Sequence, residues 1–116
     1  MRWPIKARGR TRQRSGEMNK TEAAYADYLK FLQIGGEIAW YSYEGWKFRL
    51  ADRTFYTPDF IVMLSNGQIE AHEVKGHWED DARVKIKVAA EMHPIKFVAV
   101  KPVPKRDGGG WKEEII

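Results

Sequence analysis

The chain predicts an α/β (α+β) domain in which a mixed β-sheet is flanked by helices, in the order α-β-β-β-β-α-β, and three observations carry that prediction. Near the N-terminus, a capped amphipathic helical pattern runs into Gly35-Gly36. Runs rich in β-branched and aromatic residues follow, separated by turn dipeptides. A second helical stretch then separates Lys75 from the apolar run Ile95 to Lys101. It is long enough for a right-handed crossover, so the last strand should lie parallel to one already in the sheet.

In chain order, Asn19 followed by Glu22 has the spacing of a capping box, and Ala24, Tyr25, Tyr28, Leu29 and Leu32 trace the apolar stripe of the first helix. Ile38 to Tyr43 and Trp46 to Leu50 read as two strands around Glu44-Gly45. Thr54 to Leu64 and Gln68 to Lys75 read as the arms of a hairpin about Asn66-Gly67. Asp80 or Asp81 caps the second helix, with Val84, Val88, Ala89 and Met92 as its core face, and His93-Pro94 stops it. After the final apolar strand, Pro102 and Pro104 introduce an irregular tail, with a short closing strand expected from Trp111. The aromatic residues Trp40, Tyr41, Tyr43, Trp46, Phe48, Phe55 and Tyr56 alternate along strands, which favours the core over base stacking.

The 116 residues, 43% hydrophobic and 13% aromatic, suffice for one small domain. The absence of cysteine excludes disulfides, thiolate zinc sites and cysteine nucleophiles, and it fits a reducing cytoplasm. The histidines His72, His77 and His93 lack zinc-ligand spacing. No apolar run approaches a membrane span, and the start lacks the apolar core of a signal peptide. The net charge of +4 is unevenly spread: residues 1–20 hold seven basic residues and one acidic, the remainder 13 basic and 15 acidic. Arg8, Arg10, Arg12 and Arg14 recur at every second position, so an extended arm could lay all four guanidinium groups on one phosphate backbone. An Arg-rich, acid-poor start also has the composition of a transit peptide. Residues 1–18 are read as a basic, flexible arm and 19–116 as one domain.

Chemistry concentrates in Pro58-Asp59 and Glu73-Val74-Lys75. Asp59 and Glu73 can hold a hard divalent cation through oxygen, Mg²⁺ first and Mn²⁺ as its substitute, while Lys75 can orient water and offset charge developing on a phosphate. A solvated Glu-x-Lys strand face is the bland alternative. Glu22, on the flank of the first helix, could reach the same ion or simply complete the capping box. His77 could contact a phosphate near the metal, and Trp78 lies beside it. Register decides whether the site exists. A regular two-residue turn at Asn66-Gly67 would turn Asp59 away from Glu73. A three-residue connection with a left-handed Gly67, or a bulge near Pro58, restores the shared face and is expected to set Asp59 beside Lys75 and Ile61 beside Glu73.

A helix glutamate, Pro-Asp at one strand and Glu-x-Lys on the next resemble the PD-(D/E)xK nuclease superfamily over Glu22 to Lys101. The segments MNKTEAAYADYL (18–29), YTPDF (56–60), HEVKG (72–76) and DARVKIKVAA (81–90) look like a family of small phage-encoded proteins of that superfamily. The order of acidic residues is also similar to phage endonuclease I-type Holliday-junction resolvases. The resemblance implies a restriction-endonuclease-like core, Asp59 and Glu73 as metal ligands, Lys75 as the catalytic lysine, and Glu22 as the carboxylate that completes the site or bridges to a second ion. It further implies DNA as partner, a homodimer of the kind junction resolvases form, and the cytoplasm of a bacterial host. The expected activity is Mg²⁺-dependent endodeoxyribonucleolytic hydrolysis, structure-selective on branched DNA, in phage DNA recombination or processing. A non-catalytic nucleic-acid-binding protein that keeps the fold is the alternative.

Overall fold

The computed structural model describes residues 16–76 and 80–116. Helix α1 (Lys20–Ile34) begins at the capping box that the sequence predicts: the Asn19 side chain accepts from the Glu22 amide at 2.8 Å, and the Glu22 carboxylate accepts from the Asn19 amide at 3.0 Å. Two of the amides that a helix start leaves unpaired are thereby satisfied. The helix stops where Gly36 takes φ +83°, a left-handed conformation that lets the Glu37 amide return to the Leu32 carbonyl. Tyr25 and Leu29 are buried, with Tyr28 and Leu32 packed around them.

The strands are β1 (Ile38–Tyr43), β2 (Phe48–Ala51), β3 (Thr54–Tyr56), β4 (Phe60–Leu64), β5 (Ile69–Val74), β6 (Lys96–Pro102) and β7 (Trp111–Ile115), with helix α2 (Asp80–Met92) between β5 and β6. Five of them form a mixed sheet in the order β1-β4-β5-β6-β7, and β2 and β3 pair in a second sheet. The expected mixed sheet flanked by helices is present. β6 is parallel to β5, as the intervening helix predicts, and β7 closes the sheet antiparallel to β6.

The run Thr54 to Leu64 is two strands where one was expected. Pro58 has no N–H to give to a ladder and restricts Thr57, so the chain breaks at Thr57-Pro58-Asp59. β3 turns back on β2 while β4 enters the main sheet.

Side-chain alternation divides the core. Phe60, Val62, Val74, Val98 and Val100 pack with Tyr25 and Leu29 of α1, whereas Ile61, Ala71 and Phe97 pack with Ile86 and Ala89 of α2 and with Tyr56 of β3. Each fully buried aliphatic or aromatic side chain contributes about 1.5–3 kcal/mol. The face of α2 differs in part from the expected one: Ala89 is buried as expected, but its buried partner is Ile86, while Val84, Val88 and Met92 are 58%, 38% and 50% exposed. Helical periodicity allows either stripe. The sheet selects the one that fits beneath Phe97. The strand aromatics also divide, with Tyr56 in the core and Trp40, Trp46 and Phe55 exposed.

Candidate active site

Register brings the two carboxylates together. β4 and β5 pair Phe60 with His72, Ile61 with Ala71, Val62 with Glu70 and Met63 with Ile69. The connection is the three-residue one, with Leu64 N–H bonded to the Gln68 carbonyl and Gly67 at φ +91°. Continuing the register places Asp59 across from Glu73, on a shared face. The expected face is therefore correct and the expected neighbour is displaced by two residues. Asp59 lies opposite Glu73 where Lys75 was anticipated, and Ile61 lies opposite Ala71.

Backbone and side-chain donors fix both carboxylates. The Val74 amide donates to Asp59 Oδ2 at 2.8 Å, and the Asp59 amide reaches Glu73 Oε1 at 3.4 Å. Tyr56, arriving from the second sheet, donates its hydroxyl to the same Glu73 Oε1 at 2.6 Å. Lys75 Nζ sits 3.4 Å from Glu73 Oε2, on a side chain that is 32% exposed. One carboxylate edge is thus held by the fold and the other faces a cation at the protein surface.

Asp59 and Glu73 are 8% and 7% exposed. Burial, and then the charge of Glu73, push Asp59 up to about 8 despite the Val74 amide and Lys75. Burial raises Glu73 as well, outweighing the opposing effects of Tyr56, Lys75 and the Asp59 amide. Two acidic groups this close and this dry resist ionising together. The Tyr56 hydroxyl is raised by its own burial and by Glu73, so it stays a neutral donor. A divalent cation would remove the mutual repulsion, and the donor set of hard, anionic oxygens suits one. The pair would supply two of the oxygens that Mg²⁺ takes, an ion commonly held by one or two carboxylates with waters in its other positions. On these grounds Asp59 and Glu73 fit the implied ion.

Glu22 is placed differently. Its Oε1 accepts from the Asn19 amide and, at 2.9 Å, from the Tyr43 hydroxyl. Its charge contributes to raising Asp59. Among the described residues, no group of three or more histidines and carboxylates is arranged to hold a metal ion. The structure thus brings Asp59, Glu73 and Lys75 into one cluster and leaves Glu22 as an electrostatic neighbour engaged in the helix cap. Arg8, Arg10, Arg12, Arg14, His77 and Trp78 lie outside the described residues.

Sequence reasoning missed two supports. Tyr56 reads as one of several strand aromatics, and the Pro58 break that frees β3 to bring it back to Glu73 is its one local signal. On the opposite face, Tyr25 Oη lies 2.7 Å from His72 Nδ1, and His72 Nε2 lies 2.9 Å from Glu70 Oε1. The hydrogen bond from His72 keeps Glu70 below the usual carboxylate range. The buried Tyr25–His72 contact ties β5 to α1 beside Glu73, and the partly buried Glu70 extends it. No family model, curated protein or solved structure matches the chain.

Proposed function

We propose that the chain is a divalent-metal-dependent endodeoxyribonuclease of the PD-(D/E)xK type, with Asp59 and Glu73 as ligands and Lys75 as the catalytic lysine. The observation that supports this reading best is the Asp59–Glu73 pair: two buried carboxylates on adjoining strands, joined through the Asp59 amide, with a lysine amine 3.4 Å from one of them. A folded chain has little reason to place two such groups together unless a cation offsets their repulsion.

In the hydrolysis, water attacks phosphorus, the bond from phosphorus to the leaving sugar oxygen breaks, and that oxygen takes a proton. When bound, a hard divalent cation supplies charge neutralisation at the phosphate and a lowered pKa for its water. The protein's part is positional. The Val74 amide and Tyr56 hydroxyl hold the carboxylates in one geometry, and Lys75, 3.4 Å from Glu73 Oε2, would orient the attacking water and offset negative charge on the phosphate. The superfamily resemblance supports DNA as the substrate, branched DNA and Holliday junctions in particular, and the arginines of the N-terminal arm supply phosphate contacts.

One observation favours the second reading, a DNA-binding protein that keeps the fold without catalysis: Glu22 is committed to the helix cap and to Tyr43. Incubating the purified protein with supercoiled plasmid and with a four-way junction, in Mg²⁺ and in EDTA, separates the two. Mg²⁺-dependent cutting supports the nuclease. Binding without cutting at any Mg²⁺ or Mn²⁺ concentration supports the alternative.

A further inference from the structure

We propose that the outer face of the β2–β3 hairpin is a platform for an unpaired nucleic-acid strand, with Lys47 and Arg49 on its phosphates and the Phe55 ring beneath a base. The inference rests on the phosphodiester reading of the neighbouring carboxylates and adds a substrate class to it.

The hairpin grows out of the candidate site. The Glu44 amide at one root donates to the Asp59 carbonyl at 2.8 Å, and the other root is the Thr57-Pro58-Asp59 link itself. Its inner face is fully used: Phe48 packs edge-on against Phe97 with ring centroids 5.3 Å apart, and Tyr56 bonds Glu73. Helix α2 adds a tether, since Lys85 Nζ lies 3.3 Å from the Phe55 carbonyl. The hairpin is therefore a rigid extension of the site.

Its outer face carries different chemistry. Arg49 pairs with Phe55 across the two strands, and Lys47 falls on the same side with its Nζ over the Phe55 ring, 4.5 Å from the centroid, a position the ammonium would give up to a stacking base in favour of a phosphate. All three residues are exposed, Phe55 by 39%. Among the described residues, neither Lys47 nor Arg49 pairs with a carboxylate. Two cations and an aromatic ring without an acidic partner complement a chain that alternates phosphates with flat rings. Phe55 is four residues from Asp59, at most about 14 Å along an extended backbone, so a strand whose phosphate lies at the carboxylates reaches the ring within a few nucleotides. Bases within a duplex are already covered on both faces. An unpaired strand, such as one at a junction or a frayed end, is the occupant that leaves a base free to stack.

The test is fluorescence anisotropy with the full chain in EDTA, on labelled oligothymidylate and on a duplex of equal length. Phe55→Ala and Phe55→Leu should each weaken binding of the single strand by about tenfold, Phe55→Trp should retain it, and duplex affinity should be unchanged. Lys47→Gln with Arg49→Gln should flatten the slope of log affinity against log salt for the single strand by about 1.4, at about 0.7 per phosphate contact. Melting temperatures equal to wild type for Phe55→Leu and Phe55→Trp separate stacking from folding. Single-strand binding that is indifferent to Phe55, or equally weakened on duplex, overturns the platform. So does self-association that is abolished by Phe55→Ala, which would assign the face to a second copy. A wild-type chain that binds as predicted but cuts nothing in Mg²⁺ overturns the nuclease alone, and one that cuts in Mg²⁺ but binds the single strand with no dependence on Phe55 overturns the platform alone.

Discussion

Tyr56 reaches out of the two-stranded sheet to donate a 2.6 Å hydrogen bond to Glu73, on a strand of the five-stranded one. The position of a carboxylate on β5 thus depends on a hairpin formed before its own strand begins, and on the break at Pro58 that lets that hairpin fold back.

Tyr56→Phe should leave the fold intact and weaken the site. Removing an outer hydrogen bond from a metal ligand lowers metal affinity by about 10–100-fold. The same change leaves a buried carboxylate oxygen short of a donor, at a stability cost of about 1–3 kcal/mol in the metal-free protein. Calorimetric titration with Mn²⁺ and chemical denaturation in EDTA measure the two effects separately.

The carboxylate pair also sets how stability depends on pH. Because burial raises Asp59 from 3.8 to about 8, the folded protein keeps a proton that the unfolded chain has already released. Its stabilising contribution is complete below the unfolded value and is lost as pH rises through the folded one. Metal-free melting temperature should therefore fall between pH 4 and pH 8 more steeply in the wild type than in Asp59→Asn, which should be the more stable protein at alkaline pH. Added Mg²⁺ should restore much of the loss and release protons on binding. Thermal denaturation of both proteins across that range, with Mg²⁺ or EDTA, checks the sign.

Glu22 separates capping from chemistry. Glu22→Gln keeps an oxygen for the Asn19 amide and for Tyr43, so stability and Mg²⁺ affinity should stay near wild type, whereas Glu22→Ala should cost about 1 kcal/mol through the lost cap. A fall in metal affinity for Glu22→Gln as large as that for Asp59→Asn would make Glu22 a ligand.

Lys75, beside Glu73 Oε2, should act on turnover more than on affinity. Lys75→Ala should lower the single-turnover rate by at least about 10²-fold, the scale of losing one positioned electrostatic donor, with DNA affinity little changed. An unchanged rate with weakened binding would make the lysine a phosphate anchor.

Much of this arrangement is legible in the sequence because it is local. Asn19 and Glu22 predict their capping box, Asn66-Gly67 marks the turn, and the requirement that Asp59 share a face with Glu73 predicts either a three-residue connection with a left-handed Gly67, which is the one observed, or a bulge near Pro58. Parity, however, fixes a face and not a neighbour, so the displacement that puts Asp59 opposite Glu73 needed the actual ladder. The α2 face was ambiguous for the same reason. Val84-Val88 and Ile86-Ala89 both repeat at helical spacing, and only Phe97 and the second sheet decide between them. The pairing of Tyr56 with Glu73 spans two sheets and has no counterpart in periodicity at all.

On the proposed reading, Asp59 and Glu73 act together on a phosphodiester through a divalent cation. The decisive measurement is single-turnover cleavage of a labelled four-way junction and of supercoiled plasmid at saturating Mg²⁺, by wild type, Asp59→Ala and Glu73→Ala. Wild type should cut in a Mg²⁺-dependent manner, and both variants should lose cutting while keeping DNA binding and folding. Near-native cutting by either folded variant would exclude the pair as the metal site.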